Sequence, residues 1–215
     1  LITMRPHPGL ICYHSDISIF LAENCYYLSM DSAPQFYAKD RQAWRQWLVE
    51  NHQTQQSVWL VYDKGSQRTM SWQDIVQEAL CFGWIDSRPG KVSETQSKIY
   101  VSKRKPKSVW SKINKESIEM LIAKGLVSEA GLKAVEIARA NGSWDTLNNS
   151  DNLVIPAELD ERFATLPESR ANFEKFPPSS RRNVLQWIYD AKNPETRQQR
   201  VDQVADAASR NERLR

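Results

Sequence analysis

The sequence is short of nearly everything that marks disulfide, metal or nucleotide chemistry. Its three cysteines, Cys12, Cys25 and Cys81, are odd in number and form no CxxC pair. That disfavours a disulfide framework and a thiolate metal site, and makes a reducing cytoplasm the expected location. The three histidines, His7, His14 and His52, share no ligand spacing with the cysteines, so no metal is expected. No GxGxxG, P-loop, HExxH or zinc-finger pattern occurs, and no cofactor is expected. No apolar run approaches the roughly 18–20 residues that span a bilayer, so no membrane insertion is expected. Paired carboxylates are scarce as well: Asp160 and Glu161 are adjacent on a helical pattern and diverge, as on a solvated face.

What is present is a chain of 215 residues, 40% hydrophobic and 26% charged, enough for one good core or two small ones. Its charge is unevenly placed. Between Arg88 and Lys115 nine Lys/Arg face one acidic residue, Glu94, a local net of +8 in a chain whose total is +3. The stretch Leu80–Asn114 also holds Trp84, Trp110 and Cys81. This concentration points to a binding surface or pocket.

Residues 1–29 lack clean periodicity and read as a poorly structured or spurious N-terminal extension, with Met30 the suspected start. Asp16 and Glu23 interrupt any signal-peptide core. From Met30 the signals sharpen. Asp40 caps a helix with Trp44, Trp47 and Leu48 on one face, ending near His52. Ser57–Asp63 is a strand. Ser71 and Asp74 form a capping box for a helix that stops at Gly83. Trp84–Asp86 predicts a very short strand and Arg88-Pro89-Gly90 a turn. Ser97–Lys103 alternates, with Ile99 and Val101 inward and Lys98, Tyr100 and Ser102 on a wet face.

After Pro106 every apolar spacing is helical. Ser108 or Ser111 caps a helix carrying Ile118, Leu121 and Ile122, and Ser128 begins another with Leu132, Val135 and Ala138 buried. Residues 143–155 read as a linker containing Trp144. Helices then follow around Leu159 and Phe163, over Ser180–Ala191, and from Asn193-Pro194 onward. The expected class is α+β: a small, mostly antiparallel sheet with packed helices over 30–142, then an all-helical module over 156–215.

Three groups invite a chemical reading. Cys81 lies in the last turn of its helix, where the macrodipole opposes a thiolate, so burial competes with reactivity. Asp86 and Arg88 lie two apart: either a turn-capping pair worth roughly 0–1 kcal/mol, or a pocket floor with Trp84 as wall and Asp86 fixing Arg88 or Arg104. The run Lys103-Arg104-Lys105-Pro106-Lys107 is either solvated surface or an anion site. In the second case Arg104 offers a bidentate fork, the following helix start offers free N–H groups, and Trp110 offers a ring to stack on.

The ordered segments Trp44-xx-Trp47-Leu48, Glu78-Ala79-Leu80-Cys81-Phe82-Gly83-Trp84-Ile85-Asp86 and Arg104-Lys105-Pro106-Lys107-Ser108-Val109-Trp110-Ser111-Lys112-Ile113-Asn114 resemble the YdeI/OmpD-associated, or bacteriocin-protection, family of bacterial proteins. Pro178-Ser179-Ser180-Arg181-Arg182 and Glu195-Thr196-Arg197 resemble that family's C-terminal domain. In the family a Gly or Lys often follows the Trp-Ile-Asp, where this chain has Ser87-Arg88. The resemblance implies association with an outer-membrane porin and tolerance of bacteriocins or cationic peptides, and specifies no reaction or ligand.

The reading that follows is a non-catalytic binding or stress-protection protein. An aromatic and basic cleft of Trp84, Asp86, Arg88, Arg104, Trp110 and Asn114 would take a small anionic ligand or a protein partner. A small enzyme with Asp86 as base and Arg104 as anion clamp is the first alternative. Non-specific nucleic-acid binding along a lysine stripe is the second.

Overall fold

The computed structural model describes residues 32–214, so the readings of residues 1–29 and of Met30 lie outside the described residues. A four-stranded open sheet has the order β1-β2-β4-β3, with β1 Gln35–Tyr37, β2 Ser57–Asp63, β3 Trp84–Lys91 and β4 Gln96–Lys103. The β2–β4 and β3–β4 pairs are antiparallel, while β1 runs parallel to β2, so the sheet is mixed. The sequence reading did not include β1, whose three residues are too few to show alternation.

Helix α1, Arg41–Asn51, forms the crossover between β1 and β2. Asp40 caps it by accepting from the Ala43 N–H at 2.8 Å, and Trp44 and Leu48, one turn apart, are wholly buried. Helix α2, Trp72–Cys81, opens with the expected Ser71–Asp74 capping box. It closes at Gly83, whose φ of 74° lies in the left-handed region. These helices cover one face of the sheet, enclosing Val58, Leu60, Trp84, Ile99 and Val101.

Two expectations about the sheet need correction. Arg88-Pro89-Gly90 is not a turn, and β3 is not a three-residue strand but an eight-residue one. Pro89 has no N–H for the ladder, yet β3 is an edge strand and a register shift between Asp86 and Pro89 places the proline at a bulge, where it costs no bond. The chain reverses instead after Lys91, where Ser93 Oγ accepts from the Thr95 and Gln96 N–H groups. Ile99 and Val101 point inward as expected. The opposite face of β4 is not simply wet. Tyr100 is buried there, edge-on to Trp59 at 5.3 Å, and Lys98 Nζ sits 4.5 Å from the Trp59 ring centroid.

Helices α3, Lys112–Ala123, and α4, Glu129–Ala140, are capped by Ser111 and Ser128. Leu132, expected inside, is 45% exposed. Gly131 takes the inward place because α4 starts hard against the end of α2, and a Cβ at Gly131 would lie 2.4 Å from the Cys81 carbonyl oxygen. Only a residue without a side chain lets the two helices approach so closely.

Residues 143–155 contain a one-turn helix, α5 Asn148–Asp151, and bury Trp144, Leu147 and Ser150. Four helices follow: α6 Ala157–Ala164, α7 Ser169–Lys175, α8 Pro178–Tyr189 and α9 Pro194–Ser209. Asn193 caps α9 by accepting from the Thr196 N–H at 2.7 Å, with Pro194 in the first turn where its missing N–H is harmless. Their shared core joins Leu159, Phe163, Phe173, Leu185, Ile188 and Val201. The module is tied to the first half through α5. Ser150 Oγ donates to Gln186 Oε1 at 2.6 Å, and the buried Asp151 carboxylate pairs with Arg182 while accepting from the Lys112 N–H at 2.8 Å.

Candidate functional site

The site grows from the point where α2 ends. Gly83 turns the chain from helix into β3, and its carbonyl accepts from the Arg104 N–H at 2.9 Å, so the residue leaving β4 is fixed beside it. A Cβ on Gly83 would come 2.9 Å from the Ala130 carbonyl oxygen, so glycine here lets α4 lie close against the sheet end. The segment after Arg104 is a tight turn, with Lys105 N–H donating to Ser108 Oγ at 3.2 Å and Ser108 N–H to the Lys105 carbonyl at 2.9 Å. Between this turn, the end of α1 and one side of α4 lies a pocket of about 350 Å³.

Among the described residues, four cationic side chains, Lys103, Arg104, Lys105 and Lys133, line this pocket and no carboxylate does. Its other walls are largely apolar: Phe82, Pro106 and Trp110 on one side, Ala130, Ala134 and Ile137 along α4 on the other. Lys103 is held at the rim by donating from Nζ to the Gln53 carbonyl at 2.8 Å.

Arg104 is the unusual member. Its guanidinium carbon lies 3.7 Å from the Trp110 ring centroid, and Nη1 donates to the Val109 carbonyl at 3.2 Å. Nε and Nη2 are buried and have no hydrogen-bond partner. Loss of solvent pulls its pKa down to about 10, with the charge of Asp86 acting in the opposite direction. It therefore remains a cation at neutral pH. Asp86 is half-buried, and burial pushes its pKa up while Arg104 pulls it down. The two act on each other through space, without a hydrogen bond or an ion pair within 4.0 Å.

The structure thus brings Arg104 and Trp110 together in the pocket wall, with Asp86 in electrostatic reach. Trp84 is fully buried behind them, edge-on to Trp47 at 5.8 Å, with its indole Nε1 lacking a partner. Trp110 is 1% exposed and touches both Arg104 and Trp144, whose ring lies 5.0 Å away at a tilt of 44°. Arg88 is exposed on edge strand β3, and Asn114 sits in the first turn of α3 with its N–H directed to Ser111 Oγ; neither lines the pocket. Cys81 is fully buried, burial and Glu78 raise its pKa, and its carbonyl accepts from Ser128, so it acts as a packing residue.

Sequence reasoning missed the contributions of α1 and α4. Lys133, Ala130, Ala134 and Ile137 share one helical side, yet in sequence they read only as a weakly apolar stripe. Their role depends on the close approach that Gly83 and Gly131 allow, which has no local signature.

Residues 152–211 match the family model described as Bacteriocin-protection, YdeI or OmpD-Associated, a match to part of the chain. The resemblance read from the sequence holds over that module. Residues 36–134 match a second model, described as a domain of unknown function (DUF8412), so two models divide the span that the sequence reading gave to one family. No curated protein and no solved structure matches the chain. Among the described residues no helix is long and apolar enough to cross a membrane.

Proposed function

We propose that the protein is a non-catalytic binding protein of the YdeI/OmpD-associated type, with a protective role, that takes a small anion into the pocket beside Arg104. One observation carries this reading. A charged guanidinium has two of its donor nitrogens covered from water and unpartnered, in a pocket wall that carries three lysines and, among the described residues, no carboxylate. Burying an unsatisfied charged donor costs more than an ordinary hydrogen bond returns, so an anion that reaches it gains the difference. Both atoms are covered in this conformation, so an anion reaches Nε and Nη2 only when the groups over them move aside. The nucleic-acid reading gains no support from Trp110, since that ring is only 1% exposed, with the Arg104 guanidinium over it, and offers no open face for a base.

Thermal-shift and calorimetric titration with acetate, inorganic phosphate and an oligonucleotide test this. Small-anion binding should survive moderate salt, fall roughly tenfold or more in Arg104→Lys because the planar fork is lost, and change little in Lys105→Ala. Equal losses in both variants with a steep salt slope would favour the nucleic-acid reading instead.

A further inference from the structure

We infer that the ligand of this pocket is an amphiphilic carboxylate: a planar two-oxygen head on Arg104 and an apolar body along α4. The inference rests on the anion reading above and names the class of anion. On a guanidinium, Nε–H and Nη2–H point the same way and form the side-on fork that a carboxylate meets with both oxygens. Those are the two nitrogens that lack partners here, while Nη1 is already committed to the Val109 carbonyl. The free donor set therefore has the shape of a carboxylate.

The remaining walls say what the carboxylate is attached to. Ala130, Ala134 and Ile137 are spaced by four and three, so they form one continuous side of α4 facing Phe82 and Trp110 across the pocket. Small residues at 130 and 134 leave width for a chain or ring, and a volume of about 350 Å³ suits a small organic molecule. A sugar would leave its hydroxyls against alkyl groups without partners, which is costly. A nucleotide base would need an open aromatic face, and Trp110, only 1% exposed, has none to offer. Lys103, Lys105 and Lys133 around the mouth then steer the anion and meet solvent-exposed oxygen.

The test uses the full chain and four probes: acetate, inorganic phosphate, octanoate below its aggregation concentration, and octanol. Each methylene taken out of water contributes roughly a fourfold gain. Octanoate should therefore bind at least about tenfold more tightly than acetate, and octanol should not bind. Arg104→Lys should weaken both carboxylates. Ala134→Phe, which fills the apolar side, should abolish the advantage of octanoate over acetate. Ile137→Ser should reduce that advantage without adding bulk. Melting curves of each variant verify folding, and Ile137→Ser keeps the test alive if the phenylalanine is not accommodated. Octanoate no tighter than acetate, or phosphate tighter than both, overturns the amphiphile and leaves the anion site standing. Failure of every anion overturns both.

Discussion

The helical module spends its paired arginines on helix-to-helix contacts, whereas the first half leaves one arginine fork unspent. In the helical module Arg162 bridges Asp202 and Asp206 at 2.9 Å each, Arg170 meets Asp160 and Glu174, and Arg197 meets Glu158. Arg200 donates to the Trp187 carbonyl and lies over that ring. These groups fasten one helix to another, and their chemistry is used up within the module. In the first half Arg41 and Arg45 are likewise spent on Glu78. Arg181 also buries an Nε without a partner, but Arg104 leaves both nitrogens of its side-on fork, Nε and Nη2, buried and unused, and it stands where no carboxylate among the described residues lines the wall. A cation that the fold does not consume is what distinguishes a site from a fastening.

The strongest blow to this comparison would come from the cores. Trp110→Ala should cost about 3–5 kcal/mol, the range for a fully buried aromatic, because it leaves a cavity in the cluster that Trp110 shares with Leu80, Ile118 and Trp144. Phe173→Ala, equally buried in the helical core, should cost a similar amount. Calorimetry then shows whether the halves are one cooperative unit. If they are, both variants lower the same transition. If Phe173→Ala moves a transition that Trp110→Ala leaves alone, the helical module melts independently, and residues 156–215 expressed alone should give that same transition.

The junction should respond next. Arg182→Ala strands the buried Asp151 carboxylate on the Lys112 N–H alone, and should cost about 1.5–3 kcal/mol by chemical denaturation. Asp151→Asn should cost less, since an amide still accepts from that N–H. An Arg182→Ala effect near zero would mean that α5 does not fasten the halves together.

Caps and breakers were the most legible part of this chain. Asp40, Ser71, Ser111, Ser128 and Asn193 all act through short-range hydrogen bonds that depend on three or four consecutive residues. The bounds of β2 and the inward pair Ile99 and Val101 follow from local alternation in the same way. Strand β3 ran past its expected end because Pro89 is acceptable only at an edge, and edge position is a property of the whole sheet. Leu132 looked buried by spacing, but the α2–α4 contact through Gly131 turns it outward. For the site, the basic run directed attention to Arg104 and Trp110. That Trp110 is almost wholly buried depends in part on Trp144, more than thirty residues away in a stretch that read as linker.

Removing Arg162 and removing Arg104 should have unequal consequences. Arg162→Met leaves Asp202 and Asp206 facing each other without their shared cation, and should destabilise by about 1–2 kcal/mol given its partial exposure. Arg104→Met removes a desolvated charge that holds one hydrogen bond and one ring contact, so the stability of the ligand-free protein should change by less than about 1 kcal/mol. Denaturation of both variants side by side decides the matter. Equal destabilisation would make Arg104 one more fastening.

The smallest expected effect is the shape of the alkaline edge. Arg104 has its pKa lowered to about 10 by burial, so between that pH and the ordinary arginine range the unfolded chain binds a proton that the folded one has released. The burden of the buried charge is therefore carried at all lower pH and relieved as pH rises through about 10. Anion affinity moves the other way and should fall about twofold as half of the Arg104 population becomes neutral. Lys103, Lys105 and Lys133 also face the pocket and Asp86 lies close to Arg104, so a binding curve alone would mix several titrations. The carbon-13 shift of Arg104 Cζ isolates the group. It should titrate near 10, move upward when acetate is bound, and move downward in Asp86→Asn, where the nearby negative charge is lost. An Arg104 signal that stays flat to the ordinary arginine range would show that water already reaches the fork, and the unspent cation would be an ordinary solvated one.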